Sequence, residues 1–355
     1  MASALRLAER GLFTTQPNPR VGCVIAQGEQ AVGSGWHERA GGAHAEVVAL
    51  NEAGERARGG TAYVTLEPCA HFGRTPPCAD ALISAGVARV VIAHGDPFGE
   101  VSGRGIRRLR EAGITVETGL MSEPARELNR GFFARIERSR PWLRVKLAMS
   151  MDGRTALSSG ESRWITGEAA RADVQRWRAR SSAILTGVGT ILADDPALTV
   201  RDPLCKAPVA PVRVILDRHL RTPPGSRVLD GSAPSLVFHG PDAKPVDARF
   251  EQVERHALEL SSERLDLTAM LAELARRDIN EIQVEAGPTL CGALFAQDLV
   301  DELLLYVAPV LLGDAARPLM NLPALADMSE RWKLETIDQR TVGSDWRLLL
   351  RSREN

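Results

Sequence analysis

Four residues in the first quarter of the chain carry the clearest chemistry: His44 and Glu46 in the run HAE, Cys69 in EPC, and Cys78. One imidazole and two thiols make a three-ligand zinc donor set, which leaves a fourth coordination position open. A catalytic zinc needs that opening, because water bound there is acidified to a pKa of about 7 and becomes a nucleophile. Four protein ligands would point to a structural site instead. Glu46 is the carboxylate that would move protons. His44 and Glu46 lie two residues apart and do not share a helix face, so they converge only if the metal sits off the N-terminus of the helix they begin. Cys78 follows Pro76-Pro77 and opens CADALISAG, which also puts its sulfur at a helix N-terminus, where the dipole favours thiolate. The alternative, two buried structural cysteines and a satisfied histidine, would require this donor set to fall together by chance. Cys23, inside the apolar run VGCVI, reads as core.

The pattern H-x-E with P-C-x-x-C marks zinc nucleobase deaminases, in which the glutamate carries protons without binding metal. Here the first half is present, but the two cysteines are separated by eight residues, AHFGRTPP.

Further along, TGVGTILADDP and EAGPTLCGALF place glycines between a strand candidate and a helix candidate. Neither is a G-x-G-x-x-G fingerprint. Glycine there lets backbone N–H groups approach a phosphate at a helix N-terminus, although such turns are more often plain strand-to-helix connections. Arg178 and Arg201 offer the bidentate forks a sugar phosphate requires, or are solvated surface arginines. Arg218 follows the run VRVILD directly, where it could read a 2′-phosphate or simply stand in a loop.

The elements that must position these residues alternate. Up to about Gly119, short β-branched runs (RVGCVIAQ, TAYVTLEP, ARVVIAHG, ITVETG) interleave with helical ones (HAEVVALNEAG, CADALISAG, GIRRLREAG), as in a layered α/β domain. A charged helical stretch, EPARELNRGFFARIERSR, reads as a connection closed by Pro141. The second half repeats the alternation through PWLRVKLAMS, AILTG, VRVILD, SLVFHG, EIQVEAG and DELLLYVAPVLLG, which implies a mostly parallel, covered sheet. The segments DPLCKAPVAPV and RTPPGSRVLDGSAP are loops within it. At 355 residues two domains are expected, residues 1–141 and 142–355.

EPCAHFGRTPPC, together with NPRVGCVIA and HAE, resembles the diaminohydroxyphosphoribosylaminopyrimidine deaminases of riboflavin biosynthesis. VKLAMSMDGRTA, SRWITG, ILTGVGTILADDPALTVR, VRVILD and EAGPTLCGALF resemble the 5-amino-6-(5-phosphoribosylamino)uracil reductases, which have a dihydrofolate-reductase-like fold. The resemblance implies a cytidine-deaminase-like three-layer N-terminal domain and a dihydrofolate-reductase-like α/β C-terminal domain. It implies zinc on His44, Cys69 and Cys78, proton transfer by Glu46, and aminopyrimidine ribotide contacts from Asn18 and His71. In the reductase it implies NADPH on Ala148, Trp164, Thr190, Asp194, Arg218 and the run Gly287, Pro288, Thr289, Leu290, Cys291 and Gly292, with substrate on Ser162, Arg178, Leu198, Arg201 and Glu285. A homodimer is expected from the reductase resemblance alone, and a first helix shorter than in relatives.

Composition narrows the alternatives. Lys plus Arg total 44 against 45 Asp plus Glu, so no field gathers nucleic acid or an anionic membrane. With 5% aromatic residues as well, a nucleic-acid-editing deaminase, which needs a basic aromatic-lined channel, is disfavoured. No apolar run reaches the roughly 20 residues of a membrane span, and MASALRLAERGLF lacks a signal peptide's continuous apolar core. Five scattered cysteines suit a reducing compartment. A small-molecule cytoplasmic enzyme is expected. Motif sets in both halves oppose a one-activity enzyme with an interaction module, and Glu46 with the missing fourth ligand opposes a zinc-stapled binding protein.

Overall fold

The computed structural model describes residues 1–70, 77–99, 102–201, 208–244, 250 and 253–352. The chain divides into two compact units, Met1–Ser139 and Arg140–Asn355.

In the first unit the order is α1 (Ala2–Ala8), β1 (Gly22–Gln27), β2 (Gln30–Trp36), α2 (Ala45–Ala53), β3 (Thr61–Leu66), α3 (Cys78–Ser84), β4 (Arg89–His94), α4 (Arg104–Glu111), β5 (Thr115–Thr118), α5 (Ser122–Leu128) and α6 (Arg130–Arg138). Its five strands run β2-β1-β3-β4-β5 among the described residues. β1 pairs antiparallel with both β2 and β3, and only β3, β4 and β5 are parallel. Cys23, Ile25, Val64, Leu82, Ile92 and Leu109 form the core under α2, α3 and α4. Helix α2 lies close against β2 because Gly35 has no side chain: a Cβ there would sit 2.5 Å from the carbonyl of Ala45. That approach brings the start of α2, with His44 and Glu46, onto the sheet. The stretch expected as a connection is instead α5 and α6, part of this unit. Ala125 packs with Leu5 and Ala93, and Phe132 and Phe133 pack on Leu66. Two adjacent phenylalanines are too much apolar surface to leave on a solvated linker.

The second unit runs β6 (Trp142–Ser150), β7 (Arg154–Ala156), α7 (Glu168–Arg180), β8 (Ala183–Gly187), α8 (Val188–Asp194), β9 (Val212–Leu216), β10 (Ser235–His239), β11 (Glu254–Ala257), β12 (Leu260–Ser261), β13 (Arg264–Leu265), α9 (Leu267–Arg276), β14 (Glu281–Val284), α10 (Pro288–Ala296), β15 (Glu302–Ala308), β16 (Arg317–Pro318), β17 (Leu334–Val342) and β18 (Asp345–Ser352). Nine strands form one sheet, β11-β10-β9-β8-β14-β6-β15-β18-β17, among the described residues. From β11 to β15 every pairing is parallel, and the β15–β18 and β18–β17 pairings are antiparallel. Leu143, Val145, Leu185, Val214, Met270, Ile282, Leu294 and Leu305 fill one face of this sheet. The strand expected to run on to Gly313 stops at Ala308. Pro309 has no N–H for the ladder, and beyond it Val310 and Leu311 are exposed. Among the described residues, no helix is long and apolar enough to cross a membrane.

Candidate functional site

In the first unit the three expected metal ligands converge. His44 is the N-cap of α2, Glu46 lies in its first turn, and Cys78 begins α3. His44 Nδ1 lies 3.0 Å from Cys78 Sγ and 3.6 Å from Cys69 Sγ. The three donor atoms all lie within 4.8 Å of one another. A tetrahedral zinc with ordinary Zn–N and Zn–S bonds spans donor–donor edges of roughly 3.6–3.8 Å, so the set fits the ion. Cys69 is tied to the start of α3 twice: its sulfur accepts the Cys78 N–H at 3.3 Å and its carbonyl the Ala79 N–H at 3.1 Å. A hydrogen bond from the Cys78 thiol, aided by His44, holds the Cys69 thiol well below its usual range, and the same sharing pushes Cys78 up. One thiolate is therefore already favoured where a cation would sit. Burial pushes the Glu46 carboxyl up to about 7 against the pull of His44. A carboxyl poised there exchanges protons readily near neutral pH.

Asn18 stands beside this cluster. Its side-chain amide donates to His37 Nε2 at 3.1 Å, and His37 Nδ1 in turn donates to the Ala43 carbonyl at 3.0 Å. Burial lowers the His37 pKa, which keeps the ring neutral and able to accept. The His37 and His44 rings meet edge to face, 5.5 Å apart. His71 lies outside the described residues. Sequence reading passed over His37, although GWHERAGGAHAE places a second histidine seven residues before His44.

It also passed over Asn129, whose side chain clamps the Asn18 segment. Asn129 Oδ1 accepts the Arg20 N–H at 2.7 Å, and its Nδ2 donates to the Arg20 carbonyl at 2.9 Å. Removing the amide takes a hydrogen-bond partner from each of two backbone groups of a buried residue. Asn129→Ala is therefore expected to cost about 2 kcal/mol in denaturant unfolding of this unit. It should also raise the deamination KM several-fold with zinc content unchanged. An unaltered KM would show that the clamp does not reach Asn18.

The second unit holds a cavity of about 1750 Å³ over the C-terminal ends of its central strands. A drug-sized ligand takes roughly 300–1,000 Å³, so there is room for a dinucleotide and a second molecule. Ala148, Trp164, Thr190, Asp194, Arg218 and Gly287, Pro288, Thr289 and Leu290 line it, as do Ser162, Arg178, Leu198, Arg201 and Glu285. Cys291 and Gly292 do not. Both are buried in α10: the Cys291 thiol donates to the Ala286 carbonyl, and Gly292 packs against the Asn321 backbone. The side chains of a helix's second turn fall on whichever face it presents, and here that face is the core.

Gly287 is the N-cap of α10, Pro288 opens the helix, and a Cβ on Gly287 would meet only open space. The first-turn N–H groups are thus approachable by a phosphate, which is the fit a dinucleotide requires. Trp164 is 69% exposed, with the Arg171 guanidinium 4.5 Å from the centre of its ring.

The Arg178 fork expected for a phosphate is already engaged. Nε and Nη2 donate to the two oxygens of Glu285 at 2.6 and 2.7 Å, and Nη1 donates to the Thr199 carbonyl at 3.0 Å. Glu285 is the reason: a carboxylate this deep needs a cation. Burial pushes its carboxyl up, but Arg178, Lys146 and the Gln283 amide outweigh that and hold it at about 2. The pair therefore stays ionised across the physiological range and loosens only as pH falls from the ordinary carboxylate value towards 2. Arg201 remains exposed at the cavity wall. Half-buried Lys146, its ammonium lowered by desolvation, also lines the cavity. A lysine inside the strand VKLAMS was its only trace in the sequence.

A three-ligand metal site in one unit and a dinucleotide-sized cavity in the other are the sites of a bifunctional zinc deaminase and reductase. Residues 1–94 match the family described as cytidine and deoxycytidylate deaminase zinc-binding region, and residues 141–348 match the RibD C-terminal domain. Riboflavin biosynthesis protein RibD of Escherichia coli is 49% identical over 97% of this chain and 96% of its own length. The protein of that name from Haemophilus influenzae is 45% identical over 98% and 95%. Among solved structures, Acinetobacter baumannii RibD (form 1) superposes with a TM-score of 0.92 at 43% identity, covering 99% of this chain and 98% of that one. A deaminase/reductase from Thermotoga maritima gives 0.87 at 33% identity, covering 99% and 97%. The chain belongs to the RibD family of riboflavin biosynthesis.

Proposed function

We propose that the chain performs two successive steps on one phosphate-tagged pyrimidine. Residues 1–141 deaminate 2,5-diamino-6-ribosylamino-4(3H)-pyrimidinone 5′-phosphate. Residues 142–355 then reduce the ribosyl group of the product to a ribityl chain with NADPH. The observation that carries this reading is the convergence of His44, Cys69 and Cys78 beside buried Glu46.

Zinc held by His44, Cys69 and Cys78 supplies the Lewis acidity that makes water nucleophilic. Glu46 accepts the proton of the water that attacks the amino-bearing C2 and delivers it to the nitrogen leaving as ammonia. Asn18, fixed by His37, holds the pyrimidine with His71.

In the reductase, NADPH supplies the hydride for C1′ of the sugar. Gly287, Pro288, Thr289 and Leu290 cradle its phosphates. Trp164, Ala148, Thr190 and Asp194 would hold the rest of the cofactor, and Arg218 would meet its 2′-phosphate. Ser162, Leu198 and Arg201 hold the ribotide, and the Arg178–Glu285 pair fixes the cavity floor beneath it. The reading includes a cytoplasmic location and a homodimer, the latter testable by sedimentation velocity.

Dialysis against a strong chelator tests the pairing of activities. Ammonia release is expected to fall to background and return with added zinc, whereas NADPH oxidation on the deaminated ribotide, supplied separately, should persist throughout. Deamination that survives complete zinc removal would overturn the first step.

A further inference from the structure

We propose that Glu67 is a positioning residue for the metal site, fastening the segment that carries Cys69 to the N-terminus of α4. Glu67 follows β3 directly and is 5% exposed. Its Oε1 accepts the N–H groups of Gly105 and Ile106 at 3.0 and 3.2 Å, and its Oε2 those of Gly103 and Asp96 at 3.0 and 3.4 Å. Gly103 is the N-cap of α4, so three of the four donors belong to that helix start. A carboxylate there satisfies groups that have no partner within the helix and complements its dipole.

The next residue seals the contact. A Cβ on Gly105 would lie 1.9 Å from the Pro68 carbonyl oxygen, so the helix rests directly on the peptide that leads into Cys69. Cys69 is thereby held from two sides: through Glu67 and Pro68 by α4, and through its own sulfur and carbonyl by α3. Glu67 is not part of the metal-donor cluster among the described residues, so its influence on the ion runs through the Cys69 backbone.

This inference rests on His44, Cys69 and Cys78 holding zinc, and Cys69→Ser tests that separately. The full chain is stripped of metal and titrated with zinc against a chromophoric chelator. Cobalt(II) is bound in parallel, because its absorption reports thiolate geometry. Glu67→Gln keeps the size but turns an NH2 group towards two backbone donors. Gly105→Ala pushes the helix off Pro68 with Glu67 intact. Leu109→Ala, which opens the buried side of α4 away from the site, controls for lost stability. Zinc affinity is expected to fall about tenfold or more in the first two variants, the range seen when the supports of metal ligands are removed. The cobalt bands should shift, and the control should bind zinc as the parent does. NADPH oxidation counts folded chains in each sample. Wild-type zinc affinity in Glu67→Gln and Gly105→Ala overturns the proposal. So does an equal loss of affinity in Leu109→Ala at a matched loss of thermal midpoint. If Cys69→Ser itself keeps zinc, the ligand assignment fails instead.

Discussion

Glu46→Gln is expected to lose deamination by roughly a hundred- to ten-thousand-fold, the usual worth of a positioned proton carrier, while zinc stays bound and NADPH oxidation continues. Glutamine matches the side chain in shape, so the start of α2 and its contact with the sheet are preserved. What disappears is the ability to take a proton from water and return it to a leaving amine. Burial pushes this carboxyl up to about 7, which means its charged form is held at a cost that the neutral amide escapes. The variant should therefore unfold no earlier than the parent. Separate assays of ammonia release and NADPH oxidation, with zinc content and thermal midpoint on the same samples, make the comparison. Retention of more than about a tenth of the deamination rate would remove Glu46 from the mechanism, since general acid–base catalysis contributes far more than tenfold.

Ligand chemistry was legible in the sequence because it is rare. A histidine and two cysteines in HAE, EPC and PPC leave few other uses, and the capping signals around His44 and Cys78 already said where the metal must lie. The alternating elements of both units were legible for the same reason that they fold, a periodicity of apolar residues. What stayed hidden lacks both signals. β17 is almost wholly exposed, so its residues show no apolar alternation and the antiparallel pair it forms with β18 leaves no pattern. The supports of the deaminase site are hydrogen-bond partners far apart in the chain: Glu67 and Gly105 are 38 residues apart, Arg20 and Asn129 109. Nothing local in EPC or ELNRG announces such a partner. Arg178 shows the converse. A fork suited to phosphate was read from its residue type, but which anion it meets is decided by Glu285, just past the end of β14 and 107 residues away.

The same blindness covers the most consequential ion cluster in the second unit. Arg144 on β6 is fully buried; it donates to Glu302 on β15 at 2.6 Å and to Glu281 on β14 at 3.0 Å, and so links three adjacent strands of the sheet. Its guanidinium lies 4.5 Å from the centre of the Trp177 ring on α7. Arg180 and Arg351 reach the two glutamates from the partly exposed side. Arg144→Met keeps most of the stem's volume but leaves two buried carboxylates without their inner cation, and breaking a buried pair in this way costs about 3–5 kcal/mol. That is a large share of the 5–15 kcal/mol that typically holds a domain folded. Denaturant unfolding followed by tryptophan fluorescence should show the loss in the second unit, with NADPH oxidation falling at temperatures where ammonia release persists. The cost arises from uncompensated charge rather than lost attraction, so Arg144→Met combined with Glu281→Gln and Glu302→Gln should recover most of it. A loss below about 1 kcal/mol in the single variant would mean that the two outer arginines suffice for the glutamates. A triple variant no more stable than the single would mean that the strands need the charges themselves.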